Sequence, residues 1–314
     1  MRLPPASRRQ FIQSWFSFKP VLPAEKLREV HVRAGIDAAG FTLTESFFRD
    51  TQWMYHKAQD AVSLQDWQLD VGGLVGRPMV LSGNDLAALP VIERAYTLMS
   101  QDSSPHAPKL GHARWRGISV LTVLEAVGIQ ADASVVWFTG AGGQSSVIKR
   151  DQLAEALLAT EINGEALPVE MGWPLRLIVP GTFSEKLPGA IQRITAATGN
   201  APKDLIPVTS SFIAPHHRER VHDTVLLAGV AYAGDRAVVQ VEISVDDGPW
   251  MAVLEQPGAA FQWTLWQMLW KAPAPGDYHL RVRAFDSSGQ MQEAGAGGLH
   301  GIIVRVMATE PEIR

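Results

Sequence analysis

The sequence contains no cysteine. That absence excludes thiol nucleophiles, cysteine-ligated zinc, iron–sulfur clusters and disulfides. At 314 residues the chain is about two domains long and can bury a large core without covalent staples. Long apolar runs are missing as well. A membrane-crossing helix takes about 20 such residues, and the longest candidate, Thr224 to Gly234, is strand-length and sits among turn residues. Neither sign of charge dominates: 28 Lys and Arg stand against 32 Asp and Glu, a formal net charge of −4. The basic residues are scattered, which argues against a nucleic-acid-binding protein. A hydrophobic content of 46% with 19% charged residues rules out a largely disordered chain.

The N-terminus carries Ser7-Arg8-Arg9-Gln10-Phe11, which looks like a twin-arginine export motif. An export signal needs an apolar stretch next. Here Phe11 to Phe18 is interrupted by Gln13, Ser14 and Ser17 and stopped by Lys19-Pro20. Residues 1–39 are therefore read as a basic, amphipathic arm with a degenerate motif. The expected location is cytoplasmic, or periplasmic if the motif functions.

From about residue 64 strand and helix signals alternate. Trp67 to Val71 alternates like a strand, and Ser82 with Asp85 forms a capping-box signature for a short helix. Val120, Leu121, Val123, Leu124 and Val127 make a helical stripe closed by Gly128. Val135 to Phe138 reads as a buried strand, Asp151 as the cap of a helix reaching Leu158, and Leu175 to Val179 as a further strand. This order predicts an α+β domain over 40–205. Beyond it, Pro202 to Asp223 reads as linker. Val225 to Ala231, Ala237 to Val245, Trp250 to Leu254, Phe261 to Leu265, Tyr278 to Phe285 and Ile302 to Val306 read as strands. Val239, Val241, Ile243 and Val245 are expected on one dry face. Asp247-Gly248 and Ser288-Gly289 are hairpin-type turns. Residues 206–314 are accordingly expected to form an all-β, immunoglobulin-like sandwich.

Candidate chemistry is sparse. His216, His217, Glu219 and His222 are the densest set of metal-ligand types. Their spacing lacks the i, i+4 histidine pair of a helical zinc site, and a solvated loop is the expectation. Gly140-Ala141-Gly142-Gly143 follows a strand but lacks the rest of a dinucleotide fingerprint, so it reads as a turn. No Gly-x-Ser-x-Gly elbow is present. Ten tryptophans, Trp263, Trp266 and Trp270 among them, point to core or interface.

The block Asn163-Gly164-Glu165-Ala166-Leu167-Pro168, then Met171-Gly172-Trp173-Pro174-Leu175-Arg176 and Val179-Pro180-Gly181, resembles the sulfite oxidase family of molybdopterin-dependent oxidoreductases. That family has a similar Asn-Gly-Glu-Pro-Leu-Pro, His-Gly-Phe-Pro-Leu-Arg and Val-Pro-Gly. Trp67 to Val75, Asp85-Leu86 to Pro90 and Ala113-Arg114-Trp115-Arg116-Gly117-Ile118 resemble its cofactor domain. Ser211 to Pro215, Gly229 to Tyr232, Val241 to Ser244, and Arg283 to Asp286 with Gly289 resemble its C-terminal dimerisation domain. The likeness runs in order from about residue 40 to 307. It implies a sulfite-oxidase-type molybdopterin-binding domain followed by a dimerisation-type sandwich, and hence a homodimer.

The functional positions depart from the pattern. The molybdenum-ligating cysteine, a soft anionic donor, is matched by Ser100. The Arg-Asn-His that grips the pterin is matched by Arg49-Asp50-Thr51, and the histidine before Gly-Phe-Pro by Met171. Gly189 falls where a phosphate-binding lysine belongs, with Lys186 as partial compensation. Arg116 and Arg176 are the main basic survivors. The resemblance thus implies vestigial cofactor positions at Arg49, Ser100, Met171, Arg176, Lys186 and Gly189. The expectation is a pseudoenzyme that binds no cofactor and serves as a binding or assembly module. The alternative is a molybdopterin oxidoreductase with Ser100 as metal ligand and Arg116 and Arg176 orienting a small oxyanion or sulfoxide, served by a cytochrome or other redox subunit. Phe261 to Trp270 is the candidate dimer contact, sandwich core being the competing reading.

Overall fold

The computed structural model describes residues 24–48, 63–103, 109–254, 256–294 and 299–308. The arginine-containing start of the chain and Arg49-Asp50-Thr51 lie outside them. The described residues divide into two compact units, one within 41–206, the other joining 24–40 to 207–308. Helix α1 (Ala24–Arg33) belongs to the latter, where Arg33 pairs with Glu219 at 3.2 Å.

In the unit over 41–206, β1 (Gln68–Gly73) buries Leu69 and Val71 and turns Gln68 outward, the two-residue period of a half-buried strand. β2 (Met79–Ser82) leads into α2 (Gly83–Ala88) through the anticipated capping box. Ser82 N–H donates to Asp85 Oδ2 at 2.8 Å and Asp85 N–H to Ser82 Oγ at 3.2 Å. β3 (Val91–Met99) and β4 (Leu110–Ser119) form a long antiparallel pair. α3 (Val120–Ala126) follows, burying Val120, Val123 and Leu124, and Gly128 at φ +71° ends it in the left-handed region open to glycine. β5 (Val135–Gly140) and β6 (Ser145–Lys149) are a hairpin around Gly140 to Gly143. β7 (Leu157–Ile162), β8 (Glu165–Ala166), β9 (Arg176–Ile178) and β10 (Ile191–Ala197) complete the unit. Among the described residues one sheet runs β2-β1-β10-β5-β6, and the other β3-β4-β7-β8 with β9 also on β7.

One element differs from the sequence reading. Residues 150–158 form no helix: Arg150–Gln152 is a single 3-10 turn, and Leu157 already opens β7. Leu157, Leu158 and Ala159 are fully buried, paired with β4 on one side and β9 on the other. A strand wet on neither face has no alternation, and its apolar run reads equally as helix.

The second unit is all β beyond α1 among its described residues. β11 (Thr209–Ala214), β12 (Arg220–Val221), β13 (Thr224–Tyr232), β14 (Val238–Val245), β15 (Met251–Ala252), β16 (Thr264–Lys271), β17 (Gly276–Asp286) and β18 (Gly301–Val306) form two sheets. Their orders are β11-β13-β16 and β12-β18-β17-β14-β15. Val225, Leu227, Trp266 and Trp270 from the first share one core with Val241, Ile243, Leu280, Val282 and Val304 from the second. Three details depart from expectation. The stretch Pro202 to Asp223, read as linker, carries β11 and β12, which pair with β13 and β18. A register shift between Val238 and Gln240 turns Val239 out to 40% exposure. The strand placed over Phe261 to Leu265 lies instead over Thr264–Lys271, and Phe261 takes a φ of +65°. No helix among the described residues is long and apolar enough to cross a membrane.

Candidate functional site

β3 ends at Met99, which forms a parallel bridge with Phe183. That bridge brings two turns together: 100–103, leaving β3, and Ser184–Lys186, a 3-10 turn after Val179-Pro180-Gly181. Ser100, only 1% exposed, is therefore close to a residue the sequence reading passes over. The Ser100 hydroxyl donates a short hydrogen bond to Glu185 Oε1. The Gln101 N–H reaches both oxygens of the same carboxylate, at 3.0 and 2.9 Å. Asp102 N–H in turn donates to Ser100 Oγ at 3.1 Å. With its acceptor side engaged by that amide, the hydroxyl presents its proton to Glu185.

The neighbouring positions are committed too. Lys186 forms a short ion pair with Asp204, whose other oxygen accepts the Phe183 N–H at 3.1 Å. Arg176, 4% exposed, donates to the Met171 carbonyl at 3.2 Å and lies 5.9 Å over the Trp115 ring. Met171 is itself buried. Gly189 packs against Gly172, where a Cβ on Gly189 would fall 2.3 Å from the Gly172 Cα, leaving no room for a side chain. Arg116 stands apart from this group. It lies opposite Glu93 at the far end of β3, about 20 Å along the ladder from Ser100, and forms an ion pair with Glu161. Tyr96, in the segment leading to Ser100, is no candidate base. Burial first, then its 2.6 Å hydrogen bond to Glu155, push the phenol pKa upward.

The histidine-rich loop is also engaged. Glu219 accepts the His216 N–H at 2.7 Å as well as Arg33, and His217 Nδ1 accepts the Ile303 N–H at 3.3 Å. Among the described residues no three His, Asp or Glu side chains converge as metal ligands.

Comparison with known proteins agrees with the motifs. The oxidoreductase molybdopterin binding domain matches residues 56–204. The uncharacterized oxidoreductase YuiH of Bacillus subtilis is 30% identical over 138 residues, covering 43% of this chain and 68% of that protein. The chain belongs to the sulfite oxidase family. Human mitochondrial sulfite oxidase is 29% identical over 266 residues, covering 65% of this chain and 48% of the human one. The chain thus spans about half the length of the mitochondrial sulfite oxidases it matches. The crystal structure of the sulfane dehydrogenase SoxCD from Paracoccus pantotrophus shares the fold, with a TM-score of 0.67 at 19% identity over 93% of this chain and 84% of that one.

The residues gathered around Ser100 do not suit the family's cofactor. A metal ligand here would have to be an anionic oxygen turned to the metal, whereas Ser100 is a hydroxyl turned to a carboxylate. The cofactor's dithiolene and phosphate groups are anionic and need cations and free N–H donors. Here Gln101 N–H is taken by Glu185, and Lys186 is paired with Asp204.

Proposed function

We propose that this chain is a non-catalytic binding or assembly module on the sulfite oxidase scaffold, and that it does not carry the molybdenum cofactor. One observation carries the reading: the Glu185 carboxylate takes up both the Ser100 hydroxyl and the Gln101 amide. The test is direct. Protein made in a molybdenum-replete host is expected to contain no molybdenum by elemental analysis and to release no fluorescent pterin on oxidation. Stoichiometric molybdenum would overturn the reading in favour of an oxidoreductase with Ser100 as ligand.

The all-β unit, taken as an immunoglobulin-like sandwich, would serve as the assembly surface of a homodimer. This rests on its resemblance to the family's dimerisation domain over Ser211 to Gly289. Trp266 and Trp270 are each 2% exposed within the core, so the contact has to be made by other residues. A monomer by light scattering at micromolar concentration would reject the dimer.

A further inference from the structure

We infer that residues 100–102 form an anion site whose resident ligand is the chain's own Glu185, and that a small free carboxylate can take its place once that side chain is removed. The inference goes beyond the reading of the chain as an assembly module and stands without it, since its evidence is the donor geometry alone. The Gln101 amide and the Ser100 hydroxyl donate to one carboxylate, an arrangement of convergent donors that favours anions. Gln101 N–H meets the carboxylate directly, and Asp102 N–H meets Ser100 Oγ, which fixes the hydroxyl as a donor toward the same carboxylate. The turn is held from behind, with Ser100 N–H on the Lys109 carbonyl at 3.0 Å and Ser103 N–H on the Ser100 carbonyl at 3.1 Å.

The ligand is delivered as firmly as it is received. Ser184 and Leu187 on either side are fully buried, and the Lys186 and Leu187 amides bond to Phe183 and Ser184, each at 3.0 Å. Asp204 secures the turn by Lys186 and the Phe183 amide. Glu185 itself is only half-buried, so an anion from solvent can reach the donors once its side chain is removed. The carboxylate therefore acts as a tethered ligand joining two turns that lie 85 positions apart in sequence. The chemical class that fits is a planar monocarboxylate of formate size, which reproduces the two oxygens and the charge.

Glu185→Ala is expected to lower the melting temperature by roughly 3–10 °C, the consequence of losing charge-assisted hydrogen bonds in a chain of this size. Sodium formate at about 100 mM should restore at least half of that loss by binding the folded state alone. Sodium chloride at equal ionic strength should not, and wild type should respond equally to the two salts. Equal responses of Glu185→Ala to formate and chloride, or an unshifted melting temperature, would overturn the proposal. If Glu185→Ala does not fold, Glu185→Gln supplies the test. The isosteric neutral side chain is expected to raise the Gln101 amide exchange rate about tenfold, the equivalent of roughly 1.4 kcal/mol, and an unchanged rate would reject the site. Molybdenum in the wild type would contradict the proposed function but leave the formate result to be judged separately.

Discussion

Gly189 lies directly against Gly172, so closely that a Cβ on Gly189 would come within 2.3 Å of the Gly172 Cα and one on Gly172 within 2.7 Å of the Gly189 Cα. Gly172 also takes a φ of +100°, where side chains are strained. The position that family resemblance matches to a phosphate-binding lysine is thus closed by backbone. Gly189→Ala is expected to destabilise the protein by about 1–3 kcal/mol through overpacking, with Gly189→Lys at least as damaging. Urea denaturation measures both. A neutral Gly189→Lys would show that the two segments can separate.

Ser100→Cys places a thiol at the family's metal-ligand position. Because the Glu185 carboxylate, the Lys186–Asp204 pair and the closed position 189 all remain, the variant is expected to purify without molybdenum and without releasable pterin. It should fold, losing about 1 kcal/mol as a weak S–H donor replaces O–H. Stoichiometric molybdenum in the variant would show that the ligand alone had been missing.

In the all-β unit, Asp286 provides a pH test. Burial works against its ionisation, but hydrogen bonds from Ser288, from Arg236 and from the Gln290 and Ser288 amides outweigh it and hold the carboxyl below its ordinary range. The Arg236 contact is 2.5 Å and the Ser288 hydroxyl contact 2.7 Å. A carboxyl with a lowered folded-state pKa contributes stability above its unfolded value of about 3.9 and loses it as pH falls toward the folded value. Asp286→Asn is therefore expected to cost about 1.5–3 kcal/mol at pH 7. The gap from wild type should narrow below about pH 4. Chemical denaturation across pH 2.5–7, about the span of the transition, reads both effects, and a gap independent of pH would exclude this role for Asp286.

Trp270 meets Tyr278 edge-on at 5.0 Å, and Trp266 meets Phe212 in the same way at 5.3 Å while donating to Ser210 Oγ at 2.9 Å. Trp270→Ala is expected to cost about 3–5 kcal/mol of stability without altering the oligomeric state of the folded fraction. A dissociated but fully stable Trp270→Ala protein would move this residue from core to interface.

Local chemistry is decisive where cause and effect are a few residues apart. The Ser82–Asp85 box and the Val120 to Leu124 stripe with Gly128 behind it follow from local chemistry, and the motif series carries the family, whereas the turn read at Asp247-Gly248 falls one residue earlier, with Asp246 and Asp247 at its centre and the Gly248 N–H on the Val245 carbonyl. Elements whose identity depends on neighbours were less legible. Leu157 to Ala159 is a strand because β4 and β9 flank it, and Val239 turns outward because the β14–β17 register slips beside it. The candidate site belongs to this second kind. Ser100, Met171, Lys186 and Gly189 are visible as departures from a pattern, whereas Arg116, named with Ser100 and Arg176 for the oxidoreductase alternative, lies at the other end of its strand. Glu185 had no local signal beyond being an acidic residue in a divergent stretch. Only the Met99–Phe183 bridge puts its carboxylate on the Ser100 hydroxyl, because the meeting of two turns is set by the strands that end beside them.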